Sequence, residues 1–577
     1  MRKVTLNAAA LIIALTLSAC GGGGNNNNNP PMVTVTPATA NVQEGSTQQF
    51  SATVTNSSSS VNWLVNGVAG GSAATGTINS AGLYTAPLVI PSPASITITA
   101  QLQANTAILS NSVVTITAVQ FSNSSLKGNR VFSLKGVDLS SLTFYAVGTV
   151  TADGNGNITA GEEDLNDVAS GYSIANNVTG TYSIGADGRG TMNLNSSIGS
   201  FSYAFAMRGL SNAGLNEIDN NVINAVGNLE QQSSGIGAPS GNYAFGVNGT
   251  GLSCGGAFSS AGVFNLSGTT VGGTQDLNCG GTITQSQTLT GTYTAIDALG
   301  RGSGSFSAAT GTSAFIYYVV SANRYRFLCP DATTFFLGSA DLQTQMTFAT
   351  VDFNGNYVVN TSANTQAGVS YTPIQLNASA GSISTGFYDV NEHRCCGTVV
   401  ADRNLQCGRQ RAPQWFVHGK RCCAAVQHVH DLAEPGLHLD LRTNAVGGGN
   451  AYAQSSGVIS NVAWAGSYAT LQFGYFIANG IVTPGNSTSV SGQISADGNG
   501  ALAGTLDFND PVSIFTGQTL QGTYSVGTVA PGRTTVAVTT PAEGARNYIA
   551  YIVSPAQVLL LEVDSNLTSG GDAIRQF

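Results

Sequence analysis

Charged side chains are scarce in this chain of 577 residues: Asp, Glu, Lys and Arg make up 8% of it, against roughly 25% in an ordinary globular domain. The formal net charge of -9 is spread thinly along the sequence. No basic stripe is present that could follow a phosphate backbone, and the composition therefore argues against nucleic acid as a partner.

Histidine is equally rare, and its distribution is uneven. All five histidines lie between residues 392 and 442, together with five of the nine cysteines. The rest of the chain has no histidine for a catalytic triad or for a zinc site. Outside that segment, most enzyme classes lose the side chains that they need, and we expect no cofactor.

Long apolar runs are also missing, except at the N-terminus. No later stretch reaches the roughly 18 uninterrupted apolar residues of a spanning helix. The chain begins with two basic residues, an apolar run over residues 4–17 and a small-residue cleavage site, which is the pattern of an export signal. Residues 21–31 contain only Gly, Asn and Pro and predict a flexible tether.

Residues 17–20, Leu-Ser-Ala-Cys, resemble the lipobox of bacterial lipoproteins. The resemblance implies that residues 1–19 are a signal peptide and that Cys20 is the lipidated first residue of the mature chain, followed by the tether over residues 20–31. Gly21 rather than Asp after the cysteine implies sorting to the outer membrane. In the alternative, an ordinary signal peptide, Cys20 would be incidental.

The first folded domain is predicted over residues 32–118. Apolar and polar residues alternate there with period two, as in Phe50-Ser-Ala-Thr-Val54 and Ile96-Thr-Ile98, which is typical of half-buried strands in a β-sandwich. With Trp63 in the middle of one such strand, these stretches resemble the group-2 bacterial Ig-like domains of invasin-like surface proteins. The resemblance implies a spacer domain, here without a cysteine for an inter-sheet disulfide.

Four copies of one module follow. Each carries a stretch of eleven residues, one residue shorter in the fourth copy, that ends in Asp-x-Asn, and three of the copies then have a Gly-Arg landmark, at Arg189, Arg301 and Arg533. About eight short strands fit into each ~110 residues. We predict an all-β protein whose four modules are antiparallel barrels or closed sandwiches, similar to small up-and-down barrels such as avidin and lipocalins. The modules span residues 126–232, 240–343, 350–454 and 460–577.

The recurring Asp and Asn are the candidate polar binding positions. One carboxylate and one amide on the same strand face could hold a sugar hydroxyl. In the alternative, short polar residues at a strand end bond their own backbone and close a turn. The eight positions are Asp164, Asn166, Asp276, Asn278, Asp389, Asn391, Asp507 and Asn509.

Two acidic patterns have competing explanations. Residues 153–157, Asp-Gly-Asn-Gly-Asn, with Asp164 at the twelfth place imitate a calcium loop, but Ile158 stands where that loop needs glycine. A tight hairpin turn explains the same residues without calcium.

Glu162 and Glu163 could be a glycosidase acid and base, yet adjacent strand residues point to opposite faces and cannot face each other across a cleft.

Three cysteines lie in the second copy. Cys254 and Cys279 each precede Gly-Gly, and an exported protein reaches a compartment where disulfides form. These two are the candidate disulfide, and Cys329 is left without an assigned partner.

The third copy changes character after Asn391. Residues 392–442 hold seven of the twenty Lys and Arg besides the Cys and His, which offers ligands for a metal site. However, the fourth copy begins at the position that the repeat spacing predicts, so the segment replaces module sequence instead of adding to it. Gly, Thr and Val codons read out of register yield Arg, His and Cys. We interpret the segment as read out of frame through two compensating slips, and expect the third module to be the worst formed.

These observations favour a non-enzymatic surface lipoprotein, held at the membrane by its lipid and displaying β modules for adhesion, glycan contact or envelope structure. The alternatives are a secreted polysaccharide hydrolase acting through Asp and Glu, and small-ligand carriage inside the barrels. The latter needs open interiors, whereas the large side chains of the apolar hairpins predict filled ones.

Overall fold

A computed structural model describes residues 29–576, apart from several gaps. The gaps are 221–223, 345–348, 350–351, 353, 366–367, 380–381, 393–394, 402–404, 407–425, 430–435, 441–444, 457–458, 478–483, 512 and 528–531. The predicted signal peptide, Cys20 and most of the tether lie outside the described residues, as does much of the segment 392–442.

The described residues form β-strands and short 3-10 turns, with no α-helix among them. The predicted all-β class is confirmed. Within this part of the chain, no helix is long and apolar enough to cross a bilayer.

The N-terminal unit combines Ser46–Ala86 and Pro91–Ile116 with the described part of Met1–Val42. Its strands form three antiparallel sheets with the orders β1-β4, β2-β11-β10-β5-β6 and β3-β9-β8-β7. Every second residue of β10 is buried, as the period-two alternation predicts, and Trp63 is 7% exposed. The group-2 Ig-like assignment stays a prediction. The strands are β1 Met32–Thr36, β2 Thr39–Gln43, β3 Thr47–Gln49, β4 Ser51–Thr55, β5 Val61–Val65, β6 Val68–Ala69, β7 Gly71–Ser72, β8 Gly76–Ile78, β9 Leu83–Thr85, β10 Ser95–Leu102 and β11 Leu109–Thr117.

The first module is a closed barrel. Its sheet has the order β13-β12-β20-β19-β18-β17-β16-β14-β15, and the additional pairing of β13 with β14 closes it, with β15 as an extra strand beside β14. The strands are β12 Gly128–Val137, β13 Thr143–Ala152, β14 Asn157–Asp167, β15 Gly171–Ala175, β16 Thr179–Ile184, β17 Arg189–Asn195, β18 Ser200–Met207, β19 Asn212–Glu217 and β20 Asn224–Gln231.

The second module is a closed barrel in simple chain order, β21 to β28. Neighbouring strands are antiparallel, and β28 pairs with β21 to complete the circle. The strands are β21 Gly241–Gly251, β22 Gly256–Ser267, β23 Thr270–Cys279, β24 Thr282–Tyr293, β25 Arg301–Ala308, β26 Gly311–Ser321, β27 Arg324–Leu328 and β28 Thr334–Leu342.

The third module forms a sheet with the order β32-β31-β30-β29-β36-β35-β34, and β33 pairs with β31. Over the residues that are described, its outer strands do not meet, so the barrel or closed sandwich expected here is not seen. The strands that would close it come from the segment 392–442. The strands are β29 Gly355–Thr365, β30 Gly368–Ser379, β31 Ser382–Glu392, β32 Cys395–Ala401, β33 Leu405–Gln406, β34 Val426–Val429, β35 Gly436–Asp440 and β36 Ala445–Ala453.

The fourth module repeats the chain-order barrel of the second, β37 to β44. The strands are β37 Ala465–Phe476, β38 Ser487–Asp497, β39 Ala501–Asp510, β40 Ser513–Val526, β41 Arg533–Thr540, β42 Gly544–Ser554, β43 Gln557–Glu562 and β44 Leu567–Arg575. Three of the four modules are therefore barrels. For these three, the barrel and not the closed sandwich is the correct one of the two predicted architectures.

The barrel interiors are filled with side chains. In the second barrel, aromatic residues such as Phe264, Phe306 and Phe315 pack together, and a residual cavity there measures about 10 Å³. This space is too small for a ligand.

The apolar strands near the end of the second and fourth modules are buried on both faces. On β26, Phe315 and Tyr317 point into the barrel, whereas Ile316 and Tyr318 point outwards and pack against Tyr145 of the first barrel. In the fourth barrel, outward residues of β42 pack in the same way against the third module. If β26 or β42 faced water, its outer apolar surface would be exposed. Burial of that surface therefore favours contact between the modules.

Candidate functional site

The recurring Asp-x-Asn of the first barrel contacts the second barrel. Both oxygens of the Asp164 carboxylate accept hydrogen bonds from Arg301, from Nε at 2.7 Å and from Nη2 at 2.8 Å. The hydroxyl of Tyr318 donates a third bond at 2.6 Å. Asn166 donates from Nδ2 to the carbonyl oxygens of Cys329 at 2.7 Å and Asp331 at 2.9 Å.

The same contact recurs between the third module and the fourth barrel. Arg533 donates to both carboxylate oxygens of Asp389 at 2.7 and 2.8 Å, and Tyr551 adds a hydroxyl bond. Asn391 donates to the carbonyl oxygen of Leu567 at 2.9 Å. Two inter-module contacts thus share one design, a bidentate arginine, a tyrosine and an asparagine.

A third copy of the contact joins the fourth barrel back to the first. Asp507 accepts hydrogen bonds from Arg189 through a single nitrogen, Nη2, at 2.7 and 2.9 Å, and the Nε atom of that arginine has no hydrogen-bond partner. The position that corresponds to Tyr318 is Ala206, since each stands opposite the arginine of its barrel. Asn509 donates to the carbonyl oxygen of Glu217 at 2.8 Å.

A glutamine at the end of the first, third and fourth modules makes a second recurring contact. Gln232 donates from Nε2 to the carbonyl oxygens of Leu299 at 2.9 Å and Val319 at 2.8 Å, beside the turn at Gly300. That glycine has a φ of +92°, and a Cβ there would lie 2.6 Å from the glutamine nitrogen. The bond from Gln454 to the carbonyl oxygen of Ile552 and that from Gln576 to the carbonyl oxygen of Asp187 repeat the arrangement.

These contacts follow one direction around the molecule, from the first module to the second, the third to the fourth, and the fourth to the first. In the second barrel the corresponding aspartate is Asp276, and the matching stretch of the third module falls within residues 407–425, outside the described residues. Asp276 accepts a bond from the amide of Ser286 at 2.7 Å, and Asn278 accepts one from Gly281 at 3.0 Å. For the eight predicted polar positions, a role in ligand binding stays a prediction.

The Asp-Gly-Asn-Gly stretches close turns. Asp153 accepts bonds from the side chain and amide of Asn157, at 2.8 and 3.0 Å, and from the amide of Asn155 at 2.7 Å. These bonds lower the pKa of Asp153 to about 2. Asp497 accepts three backbone bonds in the same way. Across the described residues, no group of three or more metal-binding side chains is found, and calcium stays untested.

The acidic neighbours of Asp164 lie on opposite faces of β14. Glu163 points into the barrel, where burial and the charge of Asp164 raise its pKa to about 7. Glu162 points outwards, where burial and the nearby Asp297 raise its pKa to about 8. They do not face each other, as the strand geometry predicts.

The cysteines of the second barrel separate into a pair and a single residue. Cys254, in the turn before β22, and Cys279, at the end of β23, form a disulfide. Cys329 is a buried free cysteine, and burial raises the pKa of its thiol well above the usual range.

A cavity of about 310 Å³ lies where all four modules meet. Its lining is mixed, with hydroxyl, amide and apolar side chains. The first barrel contributes Lys135, the second Arg326, and the third and fourth contribute one or two residues each. The lining includes Ser133, Lys135, Asn228, Val247, Asn248, Ser259, Arg326, Leu337, Ser339, Gly449, Asn450 and Leu471.

The two cations of this cavity differ in their partners. Arg326 donates to the Glu230 carboxylate at 2.5 Å. Burial alone would raise the pKa of Glu230, but Arg326 and Arg324 lower it. Lys135 lies on β12, with its Nζ 5.8 Å from the centroid of the Phe473 ring in the fourth barrel. Burial lowers the pKa of Lys135.

The sequence patterns give no role to Lys135, to the module-end glutamines or to the arginines of the Gly-Arg landmark. The arginines do recur in three copies, and the glutamines recur at similar spacing, at positions 232, 343, 454 and 576. This recurrence of polar residues in the sequence could have indicated a shared role. Lys135 could have been noticed only because lysine is rare, since the chain has four lysines.

Fold and contacts define an all-β protein with three closed eight-stranded barrels, whose modules are joined by buried ion pairs. No protein-family model matches the chain, and no curated protein matches it. Solved structures with similarity include transferrin binding protein B from serogroup B Neisseria meningitidis, with 12% identity, a TM-score of 0.18, and coverage of 65% of this chain and 83% of that one. A mutant of transferrin binding protein B from Haemophilus parasuis gives 10% identity, the same TM-score, and coverage of 65% and 85%. Similarity at this TM-score does not establish a shared arrangement or a shared ligand.

Proposed function

We propose that the chain is a non-enzymatic, lipid-anchored surface protein, in which the tether and the Ig-like domain hold a body of joined β modules away from the outer membrane. The observation that carries this proposal is the use of the recurring polar residues. Three of the recurring aspartates each form an ion pair with a recurring arginine of another module. What the copies have in common is therefore a means of assembly.

The carboxyl groups with the most strongly altered pKa also support a non-enzymatic body. Burial and the adjacent Asp219 raise the pKa of Glu217 to about 10, and burial and Asp564 raise that of Glu562 to about 9. Both are buried at module boundaries, where a polysaccharide chain has no access. A glycosidase needs two carboxyl groups on either side of an accessible bond.

The proposed anchor and display are tested in cells of the source bacterium. An alkyne-bearing palmitate analogue should label the full chain, and Cys20→Ser should abolish the label because the lipid is carried by that thiol. Protease added to intact cells should then degrade the labelled protein from outside. Labelling that survives Cys20→Ser, or complete protection from protease, contradicts the anchor or the surface display respectively.

The non-enzymatic part is tested with the purified chain lacking residues 1–20. A glycan array and a panel of soluble polysaccharides separate binding from hydrolysis. Binding to glycan or to cell-surface protein without release of reducing ends supports display. Release of reducing ends that is lost in Glu162→Gln or Glu163→Gln would support the hydrolase alternative.

A further inference from the structure

Lys135 is the starting point because its environment in the cavity is unusual. Of the four lysines, Lys127 and Lys135 lie in the described part of the chain. The side chain of Lys127 is exposed, whereas that of Lys135 faces the space among the modules. The ring face of Phe473 lies beneath the ammonium group of Lys135 and carries no negative charge.

No acid is among the described residues that line the cavity, and two acids beside lining residues are paired with arginines. Glu230 is bound by Arg326 and Arg324, and Asp572 is bound by Arg208 at 2.6 Å. The ammonium group of Lys135 is partly buried and has no acidic partner among the described residues, so an anion placed beside it would form a favourable charge pair. The charge pattern of the cavity therefore favours a negatively charged occupant.

The remaining lining favours hydroxyl groups on that occupant. Ser133 lies two residues before Lys135 on β12, so both side chains are on one face of the strand. Asn248 lines the cavity and accepts a bond from Ser259 at its Oδ1 atom, so its Nδ2 donors are not used by that bond. Ser339 adds a hydroxyl from the second barrel, and Asn450 adds an amide from the third module.

We propose that the cavity among the four modules binds one small hydroxylated organic anion of monosaccharide size, such as a sugar acid, whose carboxylate pairs with Lys135. The volume of about 310 Å³ lies at the lower end of the range for small-ligand sites. Ser133, Asn248 and Ser339 would bind the hydroxyl groups. The site goes beyond the proposed surface role and does not depend on the lipid anchor.

Isothermal titration calorimetry of the chain lacking residues 1–20 tests this site, with glucuronate and galacturonate as probes and glucose and inorganic phosphate as comparisons. We expect one of the two sugar acids to bind at one site per chain, at least tenfold more tightly than glucose or phosphate. Lys135→Met should weaken that binding at least tenfold, and Lys135→Arg should weaken it less because the charge is kept. Lys127→Met is the matched control and should leave it unchanged.

Thermal melting of the variants separates loss of a ligand contact from loss of the fold. Lys135→Met should melt at or above the temperature of the unmodified chain, because the substitution removes a partly buried charge that has no acidic partner among the described residues. The proposal is overturned if neither sugar acid binds, if glucose or phosphate binds as tightly, or if Lys135→Met binds the probe unchanged. These results do not bear on labelling at Cys20, so the site and the surface role can fail independently.

Discussion

Three arginines at the same place in three modules make bonds of different quality. Arg301 and Arg533 each donate two nitrogens to one carboxylate, which a tyrosine also binds. Arg189 uses one nitrogen, and no tyrosine stands opposite it. Since the paired aspartates are almost fully buried, loss of an arginine leaves a desolvated carboxylate behind.

We therefore expect Arg301→Met to lower the free energy of unfolding by about 3 kcal/mol, and Arg189→Met by about 1–2 kcal/mol. Urea denaturation of the two variants measures the difference. The double variant Arg301→Met with Asp164→Asn is the control, and it should recover part of the loss because no unpaired charge remains. Equal losses for the two arginines would contradict the ranking of the contacts.

The buried carboxyl group of Glu562 should make the stability of the fold depend on pH, and the direction of that dependence follows from its pKa. Its side chain is 0% exposed, and burial and Asp564 raise its pKa from 4.5 to about 9. Because the folded protein holds this proton and the unfolded chain releases it above about pH 4.5, stability falls as pH rises between those two values. The slope for one such group is at most about 1.4 kcal/mol per pH unit.

Glu562→Gln should therefore reduce the loss of melting temperature between pH 5 and pH 8, and should stabilise the protein most at the upper end. Asp153→Asn serves as the control, because the pKa of Asp153 is lowered to about 2 and its contribution is lost only as pH falls below about 4. A pH profile that Glu562→Gln leaves unchanged would mean that this carboxyl is ionised in the folded protein.

At the scale of single elements, strand patterns could be read from the sequence because period two reflects a buried and an exposed face. β10 and β11 alternate in burial as their sequences predict. The pattern is less informative for β26 and β42, because both faces of these strands are buried. Their sequences predict an apolar hairpin, but which neighbour covers the outer face depends on another module.

The turn before the arginine strand gives a prediction about an element. Gly300 and Gly171 have left-handed φ values of +92° and +82°, but only at Gly300 would a Cβ approach an inter-module contact, the Nε2 atom of Gln232 at 2.6 Å. Gly171→Ala should cost about 1 kcal/mol for the backbone alone. Gly300→Ala should cost about 2–3 kcal/mol, because the two bonds of Gln232 are disturbed as well.

Urea denaturation of both glycine variants tests this element. Adding Gln232→Ala to Gly300→Ala should bring little further loss, since the bonds of the glutamine are already disturbed. Additive losses would show that the turn tolerates the methyl group without moving the glutamine.

At the scale of the whole molecule, the repeats predicted the modules but not how they meet. Residues that form one contact, such as Asp164 and Arg301, are far apart in sequence and each belongs to its own motif. The cavity is a stronger case, because it takes residues from all four modules and no local pattern marks any of them. The sequence of one repeat is enough to predict the fold of its module. The position of one module against another depends on contacts between their surfaces, which the sequence of a single repeat does not reveal.

The inter-module contacts give a specific prediction for residues 392–442. The arginine follows the recurring Asp at a nearly constant interval, from position 164 to 189, from 276 to 301 and from 507 to 533. The outward tyrosine follows the arginine just as regularly, from position 301 to 318 and from 533 to 551. Counted from Asp389 by the same intervals, the DNA of the third module, read in its other frames, should encode an arginine at position 414 or 415 and an aromatic strand around positions 431–433.

In a chain with that frame restored, we expect the new arginine to pair with Asp276 of the second barrel, as Arg301 pairs with Asp164. We expect the melting temperature of that chain to rise by several degrees, as for a gain of about 1–3 kcal/mol. Replacing the new arginine by Met should remove most of the gain, while Asp389→Asn should lower stability to a similar extent in both chains. If neither other frame encodes an arginine at either position, the segment belongs to the protein as written, and the third module is joined to the second by different chemistry.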